Sequence, residues 1–229
     1  LGIYLPGACG FTGGFAGKPK GKGGPKSGQT GYMGPTIREI LDHNIVHTYD
    51  YTLIVGSLKE IRAHVYKREG KRSLPHWEFK ADRQHWTYAN ITDAGWPIKD
   101  GLTFALGPEN AVLASPKTFW QAEDAPTLSL HASFKTSANT AAILLQPHDD
   151  LDAGDWAQWG PTRAERPQPA PPIVIDFPIQ GDGQPRAYEI NLSANPKYQG
   201  SMTQIRLRLP VGAGTATLHA VALKPAKEK

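Results

Sequence analysis

From Trp77 to Pro225 the chain is written in short segments whose side chains alternate apolar and polar, and no other feature limits its fold as strongly. The alternation is clearest in TLSLHASFK and TQIRLRL. Successive side chains of a strand point to opposite faces, so a period of two describes a ribbon with one oily side and one wet side. Candidate strands are 76–80, 85–88, 102–106, 111–113, 127–135, 141–146, 173–178, 186–191, 201–209 and 216–223, most of them separated by turns bearing Gly, Pro, Asn or Asp. Ribbons this short and numerous hide their oily sides by stacking two sheets. The predicted fold is therefore mainly β: an antiparallel β-sandwich of the jelly-roll kind.

What precedes is different in kind. Residues 7–35 form a Gly-rich stretch, read as a surface excursion or loop, and no G-x-x-x-x-G-K-[ST] match makes it a phosphate cradle. PTIREILDHN predicts a helix, with Pro35 in its first turn and Ile37, Ile40 and Leu41 on one face. HTYDYTLIVG predicts a buried strand ending at Gly56, and SLKEIRAHVYKREG predicts a second helix. In that helix Ser57 and Glu60 match a capping box, Leu58, Ile61 and Val65 share a face, and Gly70 is the terminator. One β/α unit cannot cover both faces of its strand, so this small α/β segment must pack on something else. It docks on the sandwich, or it is the tail of a larger α/β catalytic domain; the abrupt LGIYLP start, without Met, favours the tail. The expected division is 1–75 and 76–229.

Charge separates the same two regions. Residues 1–75 carry 11 Lys and Arg against 5 Asp and Glu, whereas 76–229 carry 14 against 16. The larger region has no basic surplus to follow a phosphate backbone, so nucleic acid is not expected as a partner. No run reaches the roughly 18–20 apolar residues of a membrane-spanning helix, so no membrane span is expected. The lone cysteine, Cys9, makes no internal disulfide and has no recognisable nucleophile context.

The segments WEFKADRQHW (77–86), GLTFAL (101–106), APTLSLHASFK (125–135), the block from Ile175 to Pro210 and the closing ATLHAVALKP occur in an order that resembles the galactose-binding-like, carbohydrate-binding-module-like β-sandwiches of bacterial polysaccharide-active enzymes. The block 175–210 carries most of the resemblance: a strand, a turn at Gly181 to Gly183, a strand ending in Asn-Leu-Ser, then Tyr198 and Gly200 leading into Ile205 to Leu209. The resemblance covers about 150 of the 229 residues. It implies a secreted, periplasmic or cell-surface sandwich that binds polysaccharide or oligosaccharide. It also implies a structural calcium near the first strand, helped by an acidic residue in the closing strand. This chain departs there, having Thr217, Leu218 and His219. Asp82 is read first as an exposed turn carboxylate, and otherwise as a calcium ligand beside loop carbonyls.

Read without the family, Trp77, Phe79 and Trp86 bury rings that tie the first strand to the opposite sheet. Tyr188, Ile190 and Leu192 face the core, as do Ile205, Leu207 and Leu209, while Arg206 and Arg208 point outward. The ligand candidates lie in the long polar loop from Gln146 to Pro172. Trp156 and Trp159 either stack on pyranose faces, with Asp155, Gln158 and Arg163 bonding hydroxyls, or anchor the loop to the sandwich. Trp96 and Trp120 are lesser stacking candidates. Asp150, Asp152 and Asp155 resemble the opening of an EF-hand, but Pro161 stands where its glutamate belongs. Asp42, His43, His47 and Asp50 cluster before the predicted buried strand and could line a site or hold a metal if that strand belongs to a catalytic domain. No catalytic residue is assigned, and no cofactor is expected beyond that calcium.

The leading expectation is a non-catalytic carbohydrate-binding module at the C-terminal end of an extracellular polysaccharide-active protein. Its alternatives are a structural sandwich that braces a catalytic domain or envelope complex, and a fragment that contributes to a glycoside hydrolase or lyase site, with an upstream domain or partner chain.

Overall fold

The computed structural model describes residues 1–8, 10–16, 30–42, 46–69, 73–148 and 170–226. They form two units: Leu1–Ile37 and His47–Arg72 belong to the first, and Arg38–Val46, Ser73–Leu151 and Gln168–Lys229 to the second.

The first unit holds strands β1 (Gly2–Tyr4), β2 (Gly10–Ala16), β3 (Thr30–Thr36) and β4 (Thr52–Ile54), then helix α1 (Leu58–Glu69). Its helix starts as the capping box predicts. The Glu60 carboxylate accepts from the Ser57 backbone N–H at 2.6 Å, and Ser57 Oγ accepts from the Glu60 N–H at 3.4 Å. β1 pairs with β4 antiparallel, and α1 approaches β1 so closely that a methyl added to Gly2 would lie 2.7 Å from Ile61 Cγ2.

Three expectations fail in this N-terminal stretch. The Gly-rich segment is not simply a loop, because β2 and β3 pair antiparallel from Gly10↔Thr36 to Ala16↔Thr30. A ladder needs only backbone N–H and C=O groups, and glycine leaves no side-chain period from which to read it. The strand expected to be buried is three residues long, and Leu53 and Val55 are 56% and 85% exposed. Among the described residues it has one partner strand, β1, and a buried strand needs neighbours on both sides and a layer on each face. The helix expected over 35–44 is absent from its described part: Pro35 and Thr36 end β3, and residues 37–42 are irregular. Their polar groups are engaged elsewhere, since Arg83 bonds Asp42 Oδ2 and the Ile40 carbonyl while His85 meets Glu39 at 2.7 Å. Those tertiary bonds outweigh a weak local helix preference.

The second unit is the predicted sandwich. Its strands are β5 (His76–Glu78), β6 (Thr87–Ala89), β7 (Leu102–Leu106), β8 (Val112–Ala114), β9 (Trp120–Gln121), β10 (Thr127–Thr136), β11 (Thr140–Pro147), β12 (Ile173–Pro178), β13 (Arg186–Asn191), β14 (Ser201–Arg208) and β15 (Gly214–Lys224). All ten predicted strands are present, and β9 is an addition. A first sheet runs β13-β10-β15-β5, with β7 beside β5 along the edge of β15. A second runs β12-β11-β14-β8-β6, with β9 sharing the β14 edge with β8. Every pairing is antiparallel.

One core joins the inner faces. Phe79, Trp86, Leu102, Leu113, Leu128, Leu130, Leu145 and Ile205 are wholly buried. Each such side chain contributes about 1.5–3 kcal/mol. Trp86 stands edge-on to Trp77 and Phe79, with centroids 5.4 and 5.5 Å away, which is the packing role expected of these rings. Ile190, Leu192, Leu207 and Leu209 also enter the core, and Tyr188 packs against its margin. At one corner the buried Tyr198 hydroxyl accepts from Trp120 Nε1 at 2.9 Å and donates to the Ala125 carbonyl at 2.8 Å. Burial, partly offset by the Trp120 bond, pushes this hydroxyl up to about 12. The turn at Gly181–Gly183 closes on β10: the Thr136 N–H donates to the Gly181 carbonyl, and Gly183, at φ +81°, donates to Phe134.

Candidate functional site

The outer faces of the two sheets differ in how far their polar groups satisfy one another. On the first, Ser129 Oγ and Lys224 Nζ both donate to Glu189 Oε1, Thr103 and Thr217 share a hydrogen bond at 3.0 Å, and His131 and His219 lie ring to ring at 4.9 Å. His219 Nδ1 donates to the Asp100 carbonyl at 2.6 Å. Most of these groups bond one another, while His219 Nε2 is buried without a partner among the described residues.

The outer face of the second sheet follows from register. One row runs Asp176, Ala142, Arg208, Val112, Ala89; the next runs Val174, Leu144, Arg206, Ala114, Thr87. Small and apolar side chains make the floor, and the two arginines rise from β14, an inner strand. Arg208 Nη2 pairs with Asp176 at 3.1 Å. Arg206 Nε donates to Gln204 Oε1 at 2.9 Å, and Gln204 Nε2 donates to the Ser115 carbonyl at 2.7 Å. Buried Gln146 donates to the Ala170 carbonyl at 2.7 Å. Where β14 begins, His148 N–H donates to the Ser201 carbonyl and Thr118 N–H to the Thr203 carbonyl, which brings His148 and Phe119 together edge to face at 5.3 Å. Phe119 is half exposed, and Val174 is 42% exposed. A half-open surface with fixed amide and guanidinium donors can hold a ring bearing hydroxyl groups.

The sequence foresaw the outward turn of Arg206 and Arg208 but did not nominate them for binding. Gln204, Phe119 and His148 were missed. Gln204 sits in the alternating TQIRLRL segment with the two arginines, whereas Phe119 and His148 are joined to that strand only by the fold, and no local motif signals them. Asp155, Trp156, Gln158, Trp159 and Arg163 lie outside the described residues, as do Asp150, Asp152, His43 and Cys9. The seven of these between 150 and 163 belong to the segment that joins β11 to β12, neighbours in this second sheet. Of the lesser candidates, Trp96 is half exposed, whereas Trp120 is buried with its N–H on Tyr198 and offers no stacking face.

The other charged groups are engaged in structure. Arg83 is 3% exposed and forks onto Asp93 through Nε at 2.6 Å and Nη2 at 2.8 Å; its Nη1 reaches Asp42 at 2.6 Å. Burial acts to raise the Asp93 carboxyl, but Arg83, the Gly95 N–H and the Tyr88 hydroxyl outweigh it and hold the group below the usual carboxylate range. Asp42 is thus an ion-pair partner, while His47 lies 6.2 Å from the Tyr49 ring. Asp82 accepts from the Gln84 N–H at 2.8 Å in an exposed turn, and its neighbours in that hollow include the Lys80 ammonium, paired to Glu78. A calcium ion needs six to eight oxygens. Among the described residues no three His, Cys, Asp or Glu side chains converge for a metal, and Lys80 and the donating His219 occupy the region where such oxygens would be needed, so these residues do not fit the ion. No described helix is long and apolar enough to cross a membrane.

No family model and no curated protein matches the sequence. Solved structures are similar to about two thirds of the chain, among them carbohydrate-binding modules. The second N-terminal cellulose-binding domain of Cellulomonas fimi β-1,4-glucanase C is 16% identical, over 68% of this chain and 94% of that one, at a TM-score of 0.42. The family 11 carbohydrate-binding module from Clostridium thermocellum, solved with a β-1,3-1,4-mixed-linked tetrasaccharide, is 13% identical over 70% and 94%, at 0.37. A family two carbohydrate esterase from Cellvibrio japonicus is 14% identical over 67% of this chain, at 0.34, and the match spans only 34% of the esterase.

Proposed function

We propose that the second unit is a non-catalytic carbohydrate-binding sandwich whose ligand lies along β14 on the outer face of the second sheet. The observation that carries this reading is the composition of that face: an apolar floor at Ala142, Leu144, Ala114 and Val174, fixed donors at Gln204, Arg206 and Gln146, and an exposed ring at Phe119. Sugars present C–H faces and hydroxyl edges together, so a surface alternating apolar and hydrogen-bonding groups suits them. Trp156 and Trp159, with Asp155, Gln158 and Arg163, stay in the proposal as ligand contacts and lie outside the described residues.

The first unit supports the wider reading of a module joined to a larger extracellular polysaccharide-active protein. Its helix buries no residue, and Leu53, Val55, Leu58 and Tyr66 are all more than half exposed, so among the described residues this unit has no buried apolar core and calls for a further packing partner. Titration calorimetry of the full chain against cello-oligosaccharides, mixed-linked β-glucan and polygalacturonate tests the binding. At least one should bind at micromolar to millimolar concentration, more weakly to Phe119→Ala; no binding to any of them up to millimolar concentration would sink the proposal.

A further inference from the structure

We infer that the glycan taken by this face carries carboxylate groups, as a uronic-acid polymer does, and that Arg206 is the residue that reads them. The inference rests on the reading of the face as a glycan surface and adds the chemical class of the ligand. Arg206 stands on β14, flanked across the ladder by Leu144 and Ala114, with buried Ala142 beside them. The guanidinium is half buried, and among the described residues it has no carboxylate partner. Its neighbour Arg208 takes Asp176, the one acid in the two register rows, so among the described residues of those rows the charge of Arg206 is uncompensated. A cation among apolar neighbours has lost part of its hydration without a counter-charge to replace it, which makes the site a receptor for an anion.

The orientation of the group is also settled before any ligand arrives. The Ser115 carbonyl holds Gln204 Nε2, Gln204 Oε1 holds Arg206 Nε, and the two terminal Nη groups of Arg206 have no partner among the described residues. A guanidinium held by Nε presents its Nη donors as a planar fork, the geometry that takes a carboxylate. Gln204 is a positioning residue here, acting through Arg206. Among the described residues of the two rows Arg206 is the one cation without an acid, so it matches one carboxylate per contact and does not call for a densely charged polyanion.

Affinities of the wild-type chain, Arg206→Gln, Arg206→Lys, Gln204→Ala and the double variant Gln204→Ala/Arg206→Gln are to be measured by calorimetry at physiological salt. The probes are polygalacturonate, the same polymer with its carboxyls reduced to alcohols, cello-oligosaccharides and dextran sulfate. The expected result is binding to polygalacturonate that falls at least tenfold in Arg206→Gln and on carboxyl reduction. Arg206→Lys should recover only part of it, because the charge remains without the fork. Gln204→Ala should weaken it about threefold in the wild type and have no effect once Arg206 is Gln, a coupling that general destabilisation would not produce. Dextran sulfate should bind the wild type no more tightly than polygalacturonate does. Equal affinity for native and reduced polymer, insensitivity to Arg206→Gln, or a preference for the sulfated polymer overturns the inference while glycan binding stands. Silence from every glycan overturns both.

Discussion

Replacing Arg83 with Met tests the electrostatic joint that holds residues 39–42 to the sandwich. In the wild type the Arg83 and Asp93 side chains are 3% and 5% exposed, with Asp42 on the third nitrogen at 23%. Methionine fills much of the volume but leaves the Asp93 carboxylate buried with only the Tyr88 hydroxyl and Gly95 N–H, each at 3.0 Å. Removing one partner of a buried pair costs about 3–5 kcal/mol, and the two surviving bonds place this case near 3. In a domain of this size that lowers Tm by roughly 6–12 °C. The assay is urea unfolding followed by tryptophan fluorescence, with Arg83→Met/Asp93→Asn as the control. Because the double variant no longer buries an unpaired charge, it should recover about 1 kcal/mol or more. The sign with pH follows from Asp93: its folded pKa lies below the ordinary 3.8, so its contribution is present above 3.8 and lost as pH falls through the folded value. The gap between wild type and Arg83→Met should therefore narrow below pH 4. A single variant within about 0.5 kcal/mol of wild type, or a double variant less stable than the single, would refute the reasoning.

Three further outcomes are expected. Tyr198→Phe strips Trp120 Nε1 of its acceptor and the Ala125 carbonyl of its donor, a loss of about 2–3 kcal/mol by urea titration. Since burial holds the Tyr198 hydroxyl up to about 12 against an ordinary 10, its contribution is complete below pH 10 and fades toward 12, a decline the Phe variant should lack. Gly214→Ala sets a methyl 2.0 Å from the Lys135 carbonyl oxygen at φ +138°, so it should cost roughly 3 kcal/mol or more and lower the calorimetric Tm. Ser57→Ala removes the capping box of α1 and should speed amide exchange at 58–61 by an amount equivalent to about 1 kcal/mol, leaving the sandwich unchanged.

The sandwich was legible because each of its strands has one face in a common core. Ile205, Leu207 and Leu209 alternate with arginines for that reason, and the period survives translation into three dimensions. Strand β9 escaped notice because Trp120 and Gln121 are too short a run to show any period. Along β2 and β3, glycine erases the side-chain signal of a backbone ladder. At residues 37–42 the apolar spacing of Ile37, Ile40 and Leu41 describes a helix that ion pairs with Arg83 and His85 forbid, and those partners lie more than 40 residues away. The candidate face was half legible. Alternation turned Arg206 outward, but only register sets it between Leu144 and Ala114, and only the coordinates show Gln204 holding its Nε.

An amide-resolved NMR titration of the full chain with a soluble oligogalacturonide, and in parallel with a cello-oligosaccharide, tests the location of binding most directly. Shifts should gather at Ala114, Leu144, Gln146, Gln204 and Arg206, neighbours on the outer face of the second sheet. Shifts gathered instead at Ser129, His131 and Thr217 on the opposite face, with the second sheet silent at saturation, would contradict the account.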